Sequence, residues 1–198
     1  MKRSVFLPLI TIFLMAAILL GASFGLRDIA VANANTEHVW LMHKLLPGSE
    51  SFVLEPYSGE DANIRSVHKS EVGFVIETVT NGYAGPITML IGVGNDGKVT
   101  GLVVRELSET IGLGANALND HAFLSQFLNS EGSFAVGTSG ADAFSGATGE
   151  SASGEAEVTV DAISGATVTS KAIVCCVNSA VAYVTGADIG SGATSWGG

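Results

Sequence analysis

An uncharged run near the amino terminus limits what this chain can fold into. It covers residues 5–26 and as a helix would be about 33 Å long, enough to cross the roughly 30 Å hydrocarbon core of a bilayer. A cleaved signal peptide is the alternative, because alanine-x-alanine sites follow at residues 30–34. The apolar part of a signal peptide is normally only about 7–15 residues long, however. We therefore expect residues 1–27 to form a cytoplasmic amino terminus and one transmembrane helix.

The distribution of charge predicts where the rest of the chain lies. Lys2 and Arg3 precede the apolar run, and the positive-inside rule then places the amino terminus in the cytoplasm and the main domain outside. All 19 acidic residues but only six of the nine basic ones come after Arg27. Such an acidic domain is a poor partner for nucleic-acid phosphates, so we expect no nucleic acid. The length of 198 residues favours a subunit over a self-sufficient redox enzyme.

Patterns after the apolar run predict an α+β domain with an antiparallel sheet and packed helices. Residues 28–50 are expected to form a juxtamembrane helical stalk, and residues 51–185 the domain itself. Stretches rich in Val, Ile and Thr predict strands, and the Asp-Gly pair at 96–97 predicts a hairpin turn. Segments with one apolar face predict helices. The predicted strands are 72–80, 88–93, 99–105 and 158–163, and the predicted helices are 121–129 and 168–184.

Two segments of small residues are expected to be flexible. In residues 130–157, Gly, Ala, Ser and Thr account for 20 of 28 positions. Side chains of this size bury too little apolar area to offset the entropy lost when the chain is ordered. The tail at 186–198 has a similar composition, so it is expected to be frayed.

The string DAISGATVTSKA at 161–172 is the part of the sequence that carries chemistry. It joins a predicted strand to the predicted last helix, and such a junction points backbone N–H groups outward at the positive end of a helix, where phosphate binds well. Gly165 and Ala166 would let the phosphate approach the backbone closely. On the string alone, an ordinary helix N-cap is the alternative explanation. The hydroxyl groups expected to donate further hydrogen bonds are those of Ser164, Thr169 and Ser170.

This string resembles the flavinylation motif of the FMN-binding domains in the G subunit of Rnf complexes and in the C subunit of sodium-pumping NADH:quinone oxidoreductases. In that family a separate flavin transferase esterifies the Thr of S-G-A-T with the FMN phosphate, which implies Thr167 here. Residues 82–87, GYAGPI, resemble the family's GYGGPI, and residues 108–114, SETIGLG, resemble its SETPGLG. The departures, Ala84 and Ile111, remove no reactive group. Order, length and the apolar run agree as well, so the resemblance covers nearly the whole chain.

The resemblance implies a membrane-anchored electron-transfer subunit that carries one covalent FMN and holds no complete active site of its own. Its partners would be the other membrane and iron-sulfur subunits of an ion-translocating ferredoxin:NAD oxidoreductase. A stand-alone flavin domain for extracytoplasmic electron transfer or sensing is the alternative, and a non-redox module with a phosphate pocket is a third. The residues implied to contact the flavin ring are Tyr83, Glu109, Thr110, Leu113 and Gly114.

The target pattern occurs three times, at 142–148 (DAFSGAT), 161–167 (DAISGAT) and 188–194 (DIGSGAT). Only Thr167 is followed by a long helix with an apolar face, so only there would a helix start hold the phosphate. The sequence therefore predicts one flavin, on Thr167.

The cysteine and histidine residues predict no metal site. Cys175 and Cys176 are adjacent on a predicted helix, so their side chains point about 100° apart and are expected to be small buried groups. The four histidines lack the spacing of metal ligands.

Overall fold

The computed structural model of this protein describes residues 12–18, 20–21, 36–107, 120–130, 132–137 and 158–187. The chain divides into two units, Met1–Leu41 and Met42–Gly198. In the first unit, residues 12–18 and 20–21 are helical, and apolar side chains such as Phe13 (78% exposed) face outward. The rest of the expected span, and residues 28–35 of the expected stalk, lie outside the described residues.

Five strands in chain order form one antiparallel sheet. The order is β1-β2-β3-β4-β5, so each strand pairs with its neighbour in the sequence, and the predicted antiparallel sheet is confirmed. The turn between the last two strands is the predicted Asp-Gly turn, in which Gly97 has a φ of 81°. The strands are β1 (Val53–Glu55), β2 (Ile64–Ser70), β3 (Gly73–Asn81), β4 (Pro86–Gly94) and β5 (Val99–Leu107).

Besides the helical residues 12–18 and 20–21, the described structure contains three further helices and a second, two-stranded sheet. Helix α1 covers residues 36–45. The strands β6 (Phe134–Gly137) and β7 (Val158–Asp161) pair in parallel. The remaining helices are α2 (His121–Ser125) and α3 (Thr167–Thr185).

Strand β6 lies inside the segment at 130–157 that was expected to be flexible, so that expectation needs correction for residues 134–137. Phe134 is only 2% exposed and its ring lies 5.2 Å from that of Phe127, centroid to centroid. Burial of one large aromatic side chain supplies the apolar area that the small residues around it lack. The parallel partner of β6 is β7, which is distant in sequence.

The sheet is covered on both faces, as the alternation of side chains along its strands requires. On one face, Ile76 and Ile91 pack with Ile173 and Val177 of α3, all at 0% exposure. On the other face, the end of α1 packs on the sheet. Burial of each such side chain stabilises the fold by about 1.5–3 kcal/mol. The second cluster contains Met42, Leu45, Leu46, Val75 and Leu90.

Helix α3 is the central helix of this core, and its predicted position is confirmed. It ends at Gly186, whose φ of 69° places it in the left-handed region and whose N–H donates to Ala182 O at 2.9 Å. Among the described residues, α3 is also the helix that is long and apolar enough to cross a membrane. Because its apolar side chains are buried against the sheet, we assign it to the core of the domain.

Candidate functional site

The strand β7 leads into α3 through a tight turn. The strand ends at Asp161, and the N–H of Ala166 donates to Ile163 O at 3.0 Å, which closes the turn. Gly165 has a φ of 77°, in the left-handed region that side chains other than glycine rarely adopt. The next residues reverse the chain direction and start α3 at Thr167.

The first turn of α3 has no side-chain cap. Ala166 occupies the N-cap position, and no side chain accepts a hydrogen bond from the first N–H groups of the helix. Alanine is a poor N-cap, since replacing Ser, Thr, Asn or Asp there by Ala typically costs about 1 kcal/mol. The first turn contains no acidic residue either. The positive end of α3 is therefore open to an anion from outside the chain.

The predicted site residues separate into an outward and an inward group. Ser164, Gly165 and Thr167 are exposed, whereas Ala166 and Thr169 are buried. Thr167 therefore lies at the surface, beside the open helix end.

Ser170 has a different role from the direct phosphate contact expected of it. It is 0% exposed, and its Oγ accepts from the N–H of Ile163 at 3.2 Å and donates to Ala166 O at 3.0 Å. The N–H of Ser170 donates to the same carbonyl at 2.8 Å. Ser170 thus fixes the turn before Thr167 from beneath, and its hydroxyl proton is used within the chain.

The direction of α3 shows which end of the sheet carries Thr167. Near the end of the helix, Tyr183 packs on Phe74 at the start of β3, with ring centroids 5.7 Å apart. Further back, Cys176 lies beside Thr78, in the middle of β3, without the geometry of a hydrogen bond. Helix and strand therefore run antiparallel.

Extended in this direction, α3 runs from Cys176 toward the end of the sheet where β3 turns into β4. The helix from Cys176 back to Thr167 and the strand from Thr78 on to Gly82 each cover about 13 Å. The turn at residues 82–85 contains Tyr83, which is 73% exposed. The start of α3 thus points toward the end of the sheet that carries the turn at residues 82–85.

The strand that precedes the third motif in the chain ends at the same end of the sheet. Strand β5 ends at Leu107, which pairs with Ile87 at the start of β4. The motif itself, at 108–114, lies outside the described residues. The implied ring contacts in it are Glu109, Thr110, Leu113 and Gly114.

Residues 82–182 match the family described as FMN-binding domain, and this range includes the turn at 82–85 and Thr167. The chain belongs to the FMN-binding domain family. A match over half of the chain confirms the family membership that the three sequence motifs predicted.

Relatives of this FMN-binding chain are G subunits of ion-translocating complexes. The G subunit of the ion-translocating oxidoreductase complex of Methanosarcina acetivorans is 33% identical over 156 residues, which is 73% of each chain. The G subunit of the proton-translocating ferredoxin:NAD(+) oxidoreductase complex of Clostridium ljungdahlii is 35% identical over 58% of this chain and 54% of its own length. The G subunit of the Na(+)-translocating ferredoxin:NAD(+) oxidoreductase complex of Acetobacterium woodii is 34% identical over 56% of this chain and 48% of its own length. This chain thus spans about half the length of the subunits from Clostridium ljungdahlii and Acetobacterium woodii.

A solved structure is also similar to this FMN-binding chain. The C subunit of the Na(+)-translocating NADH-quinone reductase of Parabacteroides distasonis is 22% identical. The match covers 69% of this chain and 76% of that one, with a TM-score of 0.47.

The cysteines and the histidines give no second site in the part of the chain that the structure describes. Burial raises the pKa of the Cys176 thiol to about 12, so the thiol stays protonated and unreactive at neutral pH. Cys175 is half-buried. Within the described ranges, no three His, Cys, Asp or Glu side chains come together as metal ligands.

Sequence reasoning missed two amide side chains that pair with strand backbone. Gln126 contacts the backbone of Asp161, and Asn178 contacts that of Phe134. The Gln126 contact joins residues 35 positions apart, and no local pattern indicates a contact of that range.

Proposed function

We propose that this chain carries one FMN, esterified through its phosphate to Thr167 Oγ, and transfers electrons as a G-type subunit of an Rnf-type ion-translocating complex. The observation that supports the attachment point is the exposed Thr167 at an uncapped helix start. It lies within the range matched by the FMN-binding domain family.

The residues around Thr167 fit a phosphate diester. Such a diester carries one negative charge at neutral pH, and a helix N-terminus stabilises an anion by about 0.3–1 kcal/mol, or up to about 2 kcal/mol in favourable geometry. Free N–H groups in the first turn of α3 can donate to the phosphate oxygens in place of the missing side-chain cap. Exposed Ser164 and Gly165 leave the ester accessible on its outer side.

Formation of the ester is a group transfer in which nothing is oxidised or reduced. Thr167 Oγ attacks the flavin phosphate, its hydroxyl proton goes to a base, and the bond from phosphorus to the leaving group breaks. A flavin dinucleotide is a suitable donor, since its second phosphate leaves as a nucleoside monophosphate. We propose that a flavin transferase supplies the base and orients the donor.

The chain's own contribution is to hold the cofactor and leave its ring accessible. When bound, FMN accepts and donates electrons through its isoalloxazine ring. A link through phosphate keeps the cofactor in place outside the membrane, where a dissociated flavin would be diluted. Tyr83 is exposed in the turn at the end of the sheet toward which the start of α3 points, which supports its implied contact with the ring.

The anchor and the complex are further parts of this proposal. The uncharged run at 5–26, and the outward-facing apolar side chains of its described helical residues, support a single membrane-spanning helix. The relatives named as subunits of ion-translocating complexes support membership of such a complex. We place the main domain on the extracytoplasmic side because basic residues precede the run.

Intact-mass measurement of the denatured chain, produced together with a flavin transferase, tests the attachment point. We expect one FMN addition, located by peptide mapping on Thr167. Thr167→Ala should abolish it and Thr167→Ser should retain it, since Ser keeps the hydroxyl group at the same position. The matched controls Thr148→Ala and Thr194→Ala remove the two other candidate hydroxyls and should leave the mass addition unchanged.

Two outcomes would contradict specific parts of the proposal. Two FMN additions, or one that survives Thr167→Ala, would refute the single attachment point. A chain without flavin fluorescence after denaturing electrophoresis would favour the non-redox phosphate-binding alternative. Purification from native membranes tests the complex, because copurifying polytopic and iron-sulfur subunits support it and isolation alone supports a stand-alone flavin domain.

A further inference from the structure

Gln126 contacts the strand that leads to Thr167. The N–H of Asp161 donates to Gln126 Oε1 at 2.8 Å, and Gln126 Nε2 lies 3.5 Å from Asp161 O. A side-chain amide in this position reproduces the hydrogen-bond pattern of a neighbouring strand. Asp161 is the last residue of β7 and the first residue of the DAISGAT motif.

The contact lies on the side of β7 that β6 does not cover. Alternate residues of a strand in a parallel pair direct their N–H groups to opposite sides. Val158 donates to Ser133 O at 2.8 Å and Ala162 donates to Gly137 O at 3.5 Å, both toward β6. The N–H of Asp161 faces the other way, where Gln126 accepts it. The strand end is therefore held from both sides.

We propose that Gln126 is a positioning residue for flavin attachment, acting through Asp161 to fix the point from which the turn before Thr167 departs. The inference rests on the proposed attachment of FMN to Thr167. Two contacts then hold successive points of the segment that leads to Thr167. Gln126 holds its start at Asp161, and Ser170 holds the turn at Ile163.

The backbone of Gln126 is itself fixed by α2 and by two buried phenylalanine side chains. It follows α2, whose N-cap Asp120 accepts from the N–H groups of Ala122 at 3.0 Å and Phe123 at 3.1 Å. Phe123 and Phe127, which lie on either side of Gln126 in the sequence, are both buried. Their ring centroids are 5.4 Å apart. The N–H of Gln126 donates to Phe123 O at 3.2 Å. The amide is therefore presented from a fixed backbone.

Position matters here because the transfer requires Thr167 Oγ to meet the phosphorus of the donor in line with the leaving group. A misplacement of about 1 Å can slow such a reaction by about 100-fold. Removal of the Gln126 amide frees one end of the segment while Ser170 still holds the other. We expect a decrease in the rate of flavin attachment of about tenfold.

Asn178 offers a matched control. Its side chain makes the same kind of contact with the neighbouring strand: Phe134 N–H donates to Asn178 Oδ1 at 2.9 Å, and Asn178 Nδ2 donates to Phe134 O at 2.9 Å. Strand β6 does not continue into the attachment motif. A variant at Asn178 thus removes an equivalent pairing from the same small sheet without releasing Asp161.

The test uses the full-length chain in detergent, a purified flavin transferase and FAD. Initial rates of attachment are measured by fluorescence of the denatured chain over a range of chain concentrations, and Tm is measured in parallel. Gln126→Leu should lower kcat/KM for the chain as substrate by about tenfold. Gln126→Glu, which keeps an oxygen acceptor for Asp161 N–H, should restore most of the rate. Asn178→Leu should lower Tm and leave kcat/KM within about twofold of the wild type.

The inference is overturned if Gln126→Leu accepts flavin at the wild-type rate, or if Asn178→Leu slows attachment as much as Gln126→Leu does. Should Gln126→Leu not fold, Gln126→Asn gives the same comparison, because its amide is one methylene too short to reach Asp161. A wild-type chain that accepts no flavin would instead refute the attachment to Thr167. The two failures are therefore distinguishable.

Discussion

Replacement of Ser170 by Ala should both destabilise the domain and impair flavin attachment. The variant removes the bond from Ile163 N–H at 3.2 Å and the bond to Ala166 O at 3.0 Å. Ala166 O keeps the bond from the N–H of residue 170 at 2.8 Å, so only Ile163 N–H loses its partner. An orphaned buried donor costs about 1–3 kcal/mol, and the half-buried state of Ile163 favours the lower half of that range. We expect a loss of about 1–2 kcal/mol.

The assay compares Ser170→Ala with Ser179→Ala, a control on the same helix. Ser179 is 5% exposed and accepts from Asn63 Nδ2 at 3.1 Å, far from the turn. Both variants should lower Tm, by about 2–8 °C for Ser170→Ala, as measured by circular dichroism. Only Ser170→Ala should slow FMN incorporation, by roughly tenfold, because only it releases the turn before Thr167. Equal incorporation rates for the two variants, or an unchanged Tm for Ser170→Ala, would refute the reasoning.

Three further predictions concern the rest of the domain. Gly97→Ala should lower the free energy of unfolding by more than Gly48→Ala. Both glycines have positive φ, but only at Gly97 would a new Cβ lie 2.7 Å from Thr185 Cγ2; equal losses in urea unfolding would contradict this. Burial and an acidic hydrogen-bond partner raise the pKa of Tyr183, so its contribution to stability is complete below about pH 10 and is lost as the pH rises through the higher folded value. Tyr183→Phe should remove that part of the alkaline decrease in Tm. A variant whose Tm depends on pH as that of the wild type does would exclude this contribution of Tyr183. Cys176 should react with a thiol reagent at pH 8 only after unfolding, and rapid labelling of that residue in the native chain would contradict the protection of its thiol by burial.

The elements predicted correctly from the sequence are those whose apolar pattern is strong and local. Helix α3 has apolar residues on one face over five turns and a glycine at its end, and the β4–β5 hairpin has Val and Ile on both sides of an Asp-Gly turn. In both cases the residues that determine the structure are close together in the chain. The helix and the hairpin therefore lie at nearly the predicted positions.

The strands that the sequence did not predict depend on pairing with another strand rather than on an apolar pattern of their own. The sequence of β2, IRSVHKS, contains only two apolar side chains, and their burial under α3 follows from pairing with β3. Strand β1 has three residues and exists by pairing with β2. Strand β6 pairs with β7 and has its edge held by Asn178. Short strands of this kind are fixed by tertiary contacts that periodicity does not reveal.

The candidate site was predictable in its chemistry and less so in its geometry. The motif placed Thr167 at a helix start, and the structure has it there. The inward direction of Ser170 follows from its position four residues after Ala166, where a serine hydroxyl can reach the carbonyl one turn back. That rule was available from the sequence. The contact between Gln126 and Asp161 was not, since it joins two surface positions that are 35 residues apart in the chain.

The open start of α3 can be maintained because other contacts stabilise the helix. An N-cap of Ser or Asp in place of Ala166 would favour the helix by about 1 kcal/mol, but its side chain would compete for the N–H groups that a phosphate needs. Burial of Ile173, Val177 and Val181 at 0% exposure contributes about 1.5–3 kcal/mol for each side chain. The core thus offsets the missing cap severalfold. Ser170 then holds the turn from the buried side, and the outer side, with Thr167, is left for the ligand.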